Sequence, residues 1–167
     1  MEKDKVSVSN FVRNSITEIL STDTLIIDSK GCLLKELKSD NLSRGYIDYS
    51  YNPDKTPAKL YSYSNGHNYE SEHTTSYVYD GHKGIFCDVN IASWLFTYEL
   101  RHFSQKVDPT IISLTGKITD LLSNTQISGF SQTKVIKCTY NEKGYPVTQE
   151  TTEFDNSNES SESYTLF

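Results

Sequence analysis

Tyr49-Ser50-Tyr51-Asn52 is the stretch that indicates how this chain folds, and it recurs as Tyr77-Val78-Tyr79-Asp80 and Cys138-Thr139-Tyr140-Asn141. Side chains two residues apart lie on one face of a strand, and the Asn or Asp that follows can bond its own backbone and begin a turn. A looser copy runs from Ile26 to Leu33 through Asp28-Ser29-Lys30-Gly31. Each copy therefore predicts one β-hairpin.

Turn residues and prolines separate further strands around these copies. Gly31 can supply the positive φ of a tight hairpin turn, and the loop between Pro53 and Pro57 is excluded from a central strand because proline donates no hydrogen bond. The β-branched residues of the segment 6–20 favour extended structure, followed by a turn at 21–23. A polar hairpin tip is expected at 64–72.

One segment has a different pattern. From Val89 to Phe103 apolar residues recur at near-helical spacing after a plausible cap at Asp88 or Asn90, which predicts a helix. Residues 111–122 also fit helical spacing, although Thr115-Gly116 would weaken a helix there.

The copies of the hairpin phrase are spaced too irregularly for a solenoid, because the helical segment interrupts them. The fold prediction is therefore mainly β: a curved antiparallel meander sheet or a partly closed barrel built from hairpins. One or two helices are inserted around residues 89–122. The whole chain, residues 1–167, is predicted to form a single β-rich domain, since 167 residues suit one core.

Composition excludes several classes of function. The net charge is −6 and the isoelectric point is about 5.2. No run of Lys or Arg is present, and nucleic-acid binding depends on cationic neutralisation of phosphate, so no nucleic-acid partner is expected. Met1 to Lys5 is charged with no apolar run behind it. On the residues alone, this favours a cytoplasmic protein or a mature fragment that has lost its signal segment.

Motifs for catalysis, cofactors or metals are lacking in the sequence. Cys32, Cys87 and Cys138 form no Cys-x-x-Cys pair, and inert thiols are favoured over a disulfide or a metal site. His and carboxylate side chains do cluster in one polar tip, where a solvated loop is favoured over a metal site; they are His67, Glu70, Glu72 and His73. No catalytic residue, cofactor or metal is therefore predicted.

Several phrases resemble a known family. Ile27-Asp28-Ser29-Lys30-Gly31-Cys32-Leu33, Tyr77-Val78-Tyr79-Asp80 with Asp88-Val89-Asn90, and Thr139-Tyr140-Asn141-Glu142-Lys143-Gly144-Tyr145-Pro146-Val147 look like the YD-like-repeat lipoproteins of gut Bacteroidales. The resemblance spans Phe11 to Phe167 and implies a domain of unknown function described as porin-like in fold. It also implies a secreted envelope protein, held at the membrane only by an N-terminal lipid anchor outside this chain. Cys32 and Cys138 depart from the residues usual there, which are basic and aromatic respectively.

The tyrosines are the candidate ligand surface. Tyr49, Tyr51, Tyr61, Tyr63, Tyr77 and Tyr79 fall on three consecutive predicted strands, where neighbouring pairs could form a cross-strand aromatic ladder. A buried ladder would be core, whereas an open one would be a flat stacking platform for a glycan or a protein partner. The sequence therefore predicts a non-enzymatic protein that binds such a partner or has a structural role, self-associating through free sheet edges. The alternative is a small extracytoplasmic hydrolase acting on glycans or peptides.

Overall fold

Consecutive strands of the chain pair with one another in a single antiparallel sheet. The computed structural model describes residues 4–14, 17–39, 44–99, 107–155 and 159–165. Within them lie β1 (Asp4–Asn14), β2 (Thr17–Ile27), β3 (Leu33–Ser39), β4 (Arg44–Tyr51), β5 (Pro57–Asn65), β6 (Tyr69–Tyr79), α1 (Ser93–Glu99), β7 (Pro109–Asp120), β8 (Thr125–Tyr140), β9 (Pro146–Asp155) and β10 (Glu159–Thr165). The ten strands lie side by side in chain order.

This architecture confirms the predicted mainly β antiparallel meander. The sheet is open and not closed into a barrel, with β1 at one edge and β10 at the other. Helix is scarce, and none in the described part of the chain is long and apolar enough to cross a membrane.

The predicted helical insert is smaller than the sequence suggested. Helix α1 begins at Ser93, four residues beyond Val89, because residues 85–88 form turns in which the Val89 N–H donates to the Phe86 carbonyl at 3.0 Å. The predicted end at Phe103 lies outside the described residues. A second helix at 111–122 is wrong: Pro109–Asp120 is strand β7, which pairs with β6 and β8 on its two sides.

Phe130 explains why Gly116 suits a strand at this point. A Cβ atom at Gly116 would lie 2.5 Å from Cζ of Phe130, whose ring occupies the space that a side chain would fill. An aromatic ring on a neighbouring strand often covers a strand glycine in this way. The Thr115-Gly116 pair, unfavourable in a helix, is therefore accommodated by the pairing of β7 with β8.

Two predicted turns also require correction. The turn expected at 21–23 is absent, since β2 runs unbroken from Thr17 to Ile27 and pairs with β1 as far as Asn14. Asp23 stays in the strand because its carboxylate accepts a 2.9 Å hydrogen bond from the Tyr98 hydroxyl of α1. The tip expected at 64–72 is shorter, because β5 continues to Asn65 and β6 starts at Tyr69.

The hairpin phrase has the same geometry in each of its four copies. The pairing register shifts just before the last residue of the outgoing strand, which then lies opposite the first residue of the returning strand. The four resulting pairs are Ile27–Leu33, Tyr51–Pro57, Tyr79–Pro109 and Tyr140–Pro146. Proline is compatible with the first position of a strand. In the third copy, residues 81–108, including α1, replace the tight turn.

The tight turns close in the same way in the other three copies. The N–H groups of Gly31, Lys55 and Gly144 donate to the carbonyls of Asp28, Asn52 and Asn141 at 3.0, 2.9 and 2.9 Å. The three donor residues have φ of 79°, 71° and 81°, in the left-handed region. Glycine adopts that region without steric cost, so Lys55 is the unfavourable member of the series.

The two faces of the sheet differ in what covers them. We call one the helix face, because α1 packs on it: Phe96 and Tyr98 are buried, and Tyr98 joins a core with Leu25, Ile47 and Leu60. We call the other the open face. Alternation along β4 to β7 places Tyr46, Tyr61, Tyr63, Glu72 and Lys117 there, and none of these five is buried.

We predict that Lys55→Gly stabilises the protein by about 0.5–1 kcal/mol, because glycine removes the left-handed strain at that turn position. The free energy of unfolding in urea measures the change. Lys30→Gly is the matched control, as Lys30 lies in the equivalent turn without a positive φ; it should be neutral or destabilising. An equal effect of both substitutions would contradict the assigned turn strain.

Candidate functional site

The structure divides the six predicted tyrosines between the two faces. Tyr49, Tyr51, Tyr77 and Tyr79 lie on the helix face, whereas Tyr61 and Tyr63 lie on the open face. The register explains the division, since Tyr49 pairs with Leu60, and the residues on either side of Leu60 therefore face the other way. A single surface of six tyrosines is not formed.

The helix-face tyrosines belong to the core. Tyr49 and Tyr77 are each 7% exposed, and the Tyr49 hydroxyl donates to Oε2 of the buried Glu36 at 3.1 Å. The hydroxyls of Tyr51 and Tyr79 donate to the carbonyls of Leu33 and Pro57 at 2.7 and 2.8 Å. Burial raises the pKa of both phenols far above the usual value. These side chains stabilise the sheet and offer no ligand surface.

A different set of three tyrosines gathers on the open face. The Tyr46 ring lies 6.0 Å from that of Tyr61 and 5.5 Å from that of Tyr63, centroid to centroid, and all three are partly exposed. We call Tyr46, Tyr61 and Tyr63 the tyrosine cluster. Sequence analysis missed Tyr46 because it falls outside the repeated phrase. The signal that would have found it is the register of the β4–β5 hairpin, which pairs Tyr46 with Tyr63.

The tyrosine cluster lies within two rows of side chains that cross five strands. In each row the members are paired neighbours on successive strands from β3 to β7. The central row is Leu37, Tyr46, Tyr63, Glu72 and Lys117; the second row is Lys35, Asp48, Tyr61, Thr74 and Thr115. The aromatic rings therefore lie near the middle of the rows, with charged groups on both sides.

Two ion pairs flank the tyrosine cluster. Lys35 Nζ lies 3.0 Å from Asp48 Oδ1 and 4.2 Å from the centroid of the Tyr46 ring. Lys117 Nζ lies 3.2 Å from Glu72 Oε1. The open face thus presents apolar rings between neutralised ion pairs.

Tyr61 has an electrostatic environment of its own. Burial, followed by the negative charge of Glu72 and by Tyr46, raises the pKa of its phenol to about 12. The group therefore remains a neutral phenol at physiological pH. A neutral hydroxyl can both donate and accept a hydrogen bond, which suits an uncharged polar ligand.

Two hollows adjoin the tyrosine cluster on opposite sides. One, of about 590 Å³, lies toward β3 and is lined by Leu37, Lys38, Arg44, Gly45, Tyr46, Tyr63 and Asn65. The other, of about 280 Å³, lies toward β7 and is lined by Tyr61, Glu72, Thr74, Thr115, Gly116 and Lys117. The cluster and both hollows together form the candidate ligand surface.

A third concavity lies on the helix face, away from this surface. Its volume is about 380 Å³, and it is lined by Thr75, Ile112, Leu114, Gln132, Lys134, Ile136, Gln149 and Thr151. The polar groups near it bind one another: Glu153 forms an ion pair with Lys134 and accepts a 3.1 Å hydrogen bond from Gln132. This groove therefore offers mainly apolar surface.

The residues that resembled metal ligands do not converge. Glu70 and Glu72 lie on the open face, where Glu70 accepts a 3.2 Å hydrogen bond from the Tyr63 hydroxyl. His73 lies on the helix face against Phe130, with the ring centroids 5.2 Å apart. His67 is in the exposed turn between β5 and β6. Across the described ranges, no group of three His, Cys, Asp or Glu side chains could hold a metal ion.

Neither the thiols nor His82 has the surroundings of a catalytic group. All three cysteines are free, and burial raises the pKa of the Cys32, Cys87 and Cys138 thiols. A raised pKa keeps a thiol protonated, and the thiolate is the reactive form. His82 Nδ1 lies 3.0 Å from Asp80 Oδ2, and the His82 ring stacks on Tyr140 at 4.3 Å. These contacts anchor the start of the insertion to β8.

No protein-family model, curated protein or solved structure matches the chain. The resemblance to YD-like-repeat lipoproteins therefore stays a prediction, together with the envelope location that it implies. The functional conclusion consequently depends on the geometry and charge of the open face.

We predict that mild nitration modifies Tyr46, Tyr61 and Tyr63 before Tyr49, Tyr51, Tyr77 and Tyr79. The first three rings are partly exposed on the open face, whereas the other four lie in the core or pack against it. Tandem mass spectrometry of the digested protein locates each nitro group. Tyr69, which is 52% exposed, is the positive control for an exposed ring. Equal rates for both sets would contradict the division between faces.

We also predict that Glu72→Gln lowers the pKa of Tyr61 from about 12 while leaving it above the usual value of 10.0. The carboxylate disfavours a nearby phenolate, so removing its charge favours ionisation, but the larger effect of burial persists. A ¹³C NMR titration of ring-labelled tyrosine measures the shift. Glu142→Gln, in an exposed turn, should leave Tyr61 unchanged. An unchanged pKa in Glu72→Gln would disprove the proximity of the two groups.

Proposed function

We propose that this protein is a non-enzymatic binding module whose open face takes a neutral glycan. One observation carries the proposal: three partly exposed tyrosine rings form a cluster that lies between two ion pairs, Lys35–Asp48 and Lys117–Glu72. Tyrosine offers an apolar ring and a polar hydroxyl, and an exposed aromatic patch generally marks a binding surface.

The chemistry of the surface matches that of an uncharged sugar. The apolar C–H face of a pyranose can pack on a phenol ring, while hydroxyl groups bond to polar side chains at the ring edges. Such side chains border the tyrosine cluster: Glu70 already accepts from Tyr63, and Asn65 Nδ2 donates to the same hydroxyl at 3.3 Å. The site thus combines stacking with hydrogen bonding.

Charge favours a neutral ligand over an ionic one. A neutral ligand can cover the rings and leave the ion pairs Lys35–Asp48 and Lys117–Glu72 intact. The chain as a whole carries −6, which disfavours anionic ligands further. A protein partner docking on the same rings is the competing outcome that the experiment must separate.

The hydrolase alternative receives less support from the residues described. A hydrolase needs a nucleophile or a pair of carboxylates that converge on one substrate position. Beside the tyrosine cluster, Asp48 and Glu72 are each paired with a lysine and Glu70 accepts a hydrogen bond from Tyr63. Burial keeps the cysteine thiols protonated. The proposal requires neither a cofactor nor a metal.

Location follows only from the resemblance and is part of the proposal. A lipid-anchored envelope protein of the YD-like-repeat type would meet glycans at the cell surface, which fits a sugar-binding face. Membrane contact would then come from an N-terminal lipid anchor.

We predict that Tyr61→Ala/Tyr63→Ala weakens binding to the glycan that the wild type binds best by at least about tenfold, because the double substitution removes the stacking surface. A panel of immobilised neutral and anionic glycans identifies that ligand, and isothermal titration calorimetry measures its Kd. Tyr69→Ala is the matched control, since Tyr69 is exposed on the opposite face.

Retained affinity in the double variant would place the glycan elsewhere. Absence of binding to every glycan, together with tyrosine-dependent capture of a purified protein, would overturn the proposal in favour of a protein partner.

A further inference from the structure

The central row is long compared with the three rings at its middle. From Leu37 on β3 to Lys117 on β7 it crosses four gaps between neighbouring strands. At about 4.8 Å per gap, the row is roughly 19 Å long. A disaccharide that stacks on the tyrosine cluster would leave both ends of this row uncovered.

From this span we infer that the ligand is an internal stretch of a linear neutral polysaccharide, lying across the strands. The inference rests on the proposed function and deepens it, because it states the length and direction of the glycan on the same surface.

The two hollows define the direction. One is lined from β3, β4 and β5, and the other from β5, β6 and β7, so the line that joins them runs across the sheet. They share β5, which contributes Tyr63 to the first hollow and Tyr61 to the second. A polysaccharide that fills both hollows must therefore pass over the tyrosine cluster.

The two ends of the central row favour a polysaccharide that continues beyond the site. Lys117 pairs with Gly129 on β8, which has no side chain to close the row. At the other end Leu37 is 39% exposed and pairs with Thr24 on β2. A site for a chain terminus would need a wall at one end, and neither end of this row supplies one among the residues described.

Each hollow also carries polar groups that could bind glycan hydroxyls. Lys117 and Glu72 line the hollow toward β7, whereas Arg44 and Asn65 line the hollow toward β3. Hydroxyl groups of a long chain could engage both sets at once, while a short chain centred on the rings could not. Affinity should therefore rise with the length of the polysaccharide, and Lys117, at the end of the central row, should contribute more to the binding of long chains than of short ones.

Calorimetry with cello-, xylo-, malto- and manno-oligosaccharides, each from the disaccharide to the hexasaccharide, tests this. For the series that binds, we expect Kd to fall at least about tenfold from the disaccharide to the hexasaccharide. Lys117→Ala should weaken hexasaccharide binding about threefold or more and weaken disaccharide binding by a smaller factor. Lys143→Ala, in the exposed turn between β8 and β9, is the matched control, and it should change the Kd of neither the disaccharide nor the hexasaccharide.

The possible results separate the two proposals. A disaccharide that binds as tightly as the hexasaccharide, or a Lys117→Ala variant that binds the hexasaccharide like the wild type, would overturn the inference about length while the binding module stands. Failure of all four series to bind would overturn both. Circular dichroism and thermal unfolding of Lys117→Ala would confirm that the variant keeps its fold.

Discussion

The register step at the end of each outgoing strand is the constraint on which the rest of the structure depends. It places Tyr51 opposite Pro57 and Tyr79 opposite Pro109, so the returning strand always starts in the same position. The Tyr51 hydroxyl then donates to the Leu33 carbonyl, at the start of the previous returning strand, and the Tyr79 hydroxyl donates to the Pro57 carbonyl in the same way. The second and third hairpins are thereby each bonded to the one before, which stabilises the order of the meander.

The same step decides which tyrosines are available to a ligand. Once Tyr49 pairs with Leu60, alternation directs Tyr61 and Tyr63 to the open face, where Tyr46 already lies. Tyrosine therefore has two roles in adjacent strands of one hairpin: Tyr49 binds the buried Glu36 in the core, and Tyr63 binds Glu70 at the surface. A change of one residue in register would exchange these roles.

Local signals predicted the hairpins, because alternation and the Asn or Asp turn are properties of adjacent residues. Features that depend on contacts between residues far apart in the sequence could not be predicted from it. The strand at 111–122 depends on pairing with β6 and on Phe130 over Gly116, and the continuity of β2 depends on the bond from Tyr98 to Asp23. Tyr61 and Tyr63 were predicted as site residues, but their separation from the four core tyrosines and their contact with Tyr46 required the register.

The insertion at residues 81–108 covers part of one face of the sheet. Its two ends are tied together, since Asp108 Oδ2 accepts a 2.8 Å hydrogen bond from the Ile85 N–H. Its first part is fixed to the fourth hairpin, because the Tyr145 hydroxyl donates to Asp88 Oδ2 at 2.6 Å. Its helix is fixed to the first hairpin through Tyr98 and Asp23. Held at these points, α1 packs over the part of the helix-face core that lies near β3. The tyrosine cluster, on the opposite face, stays partly exposed.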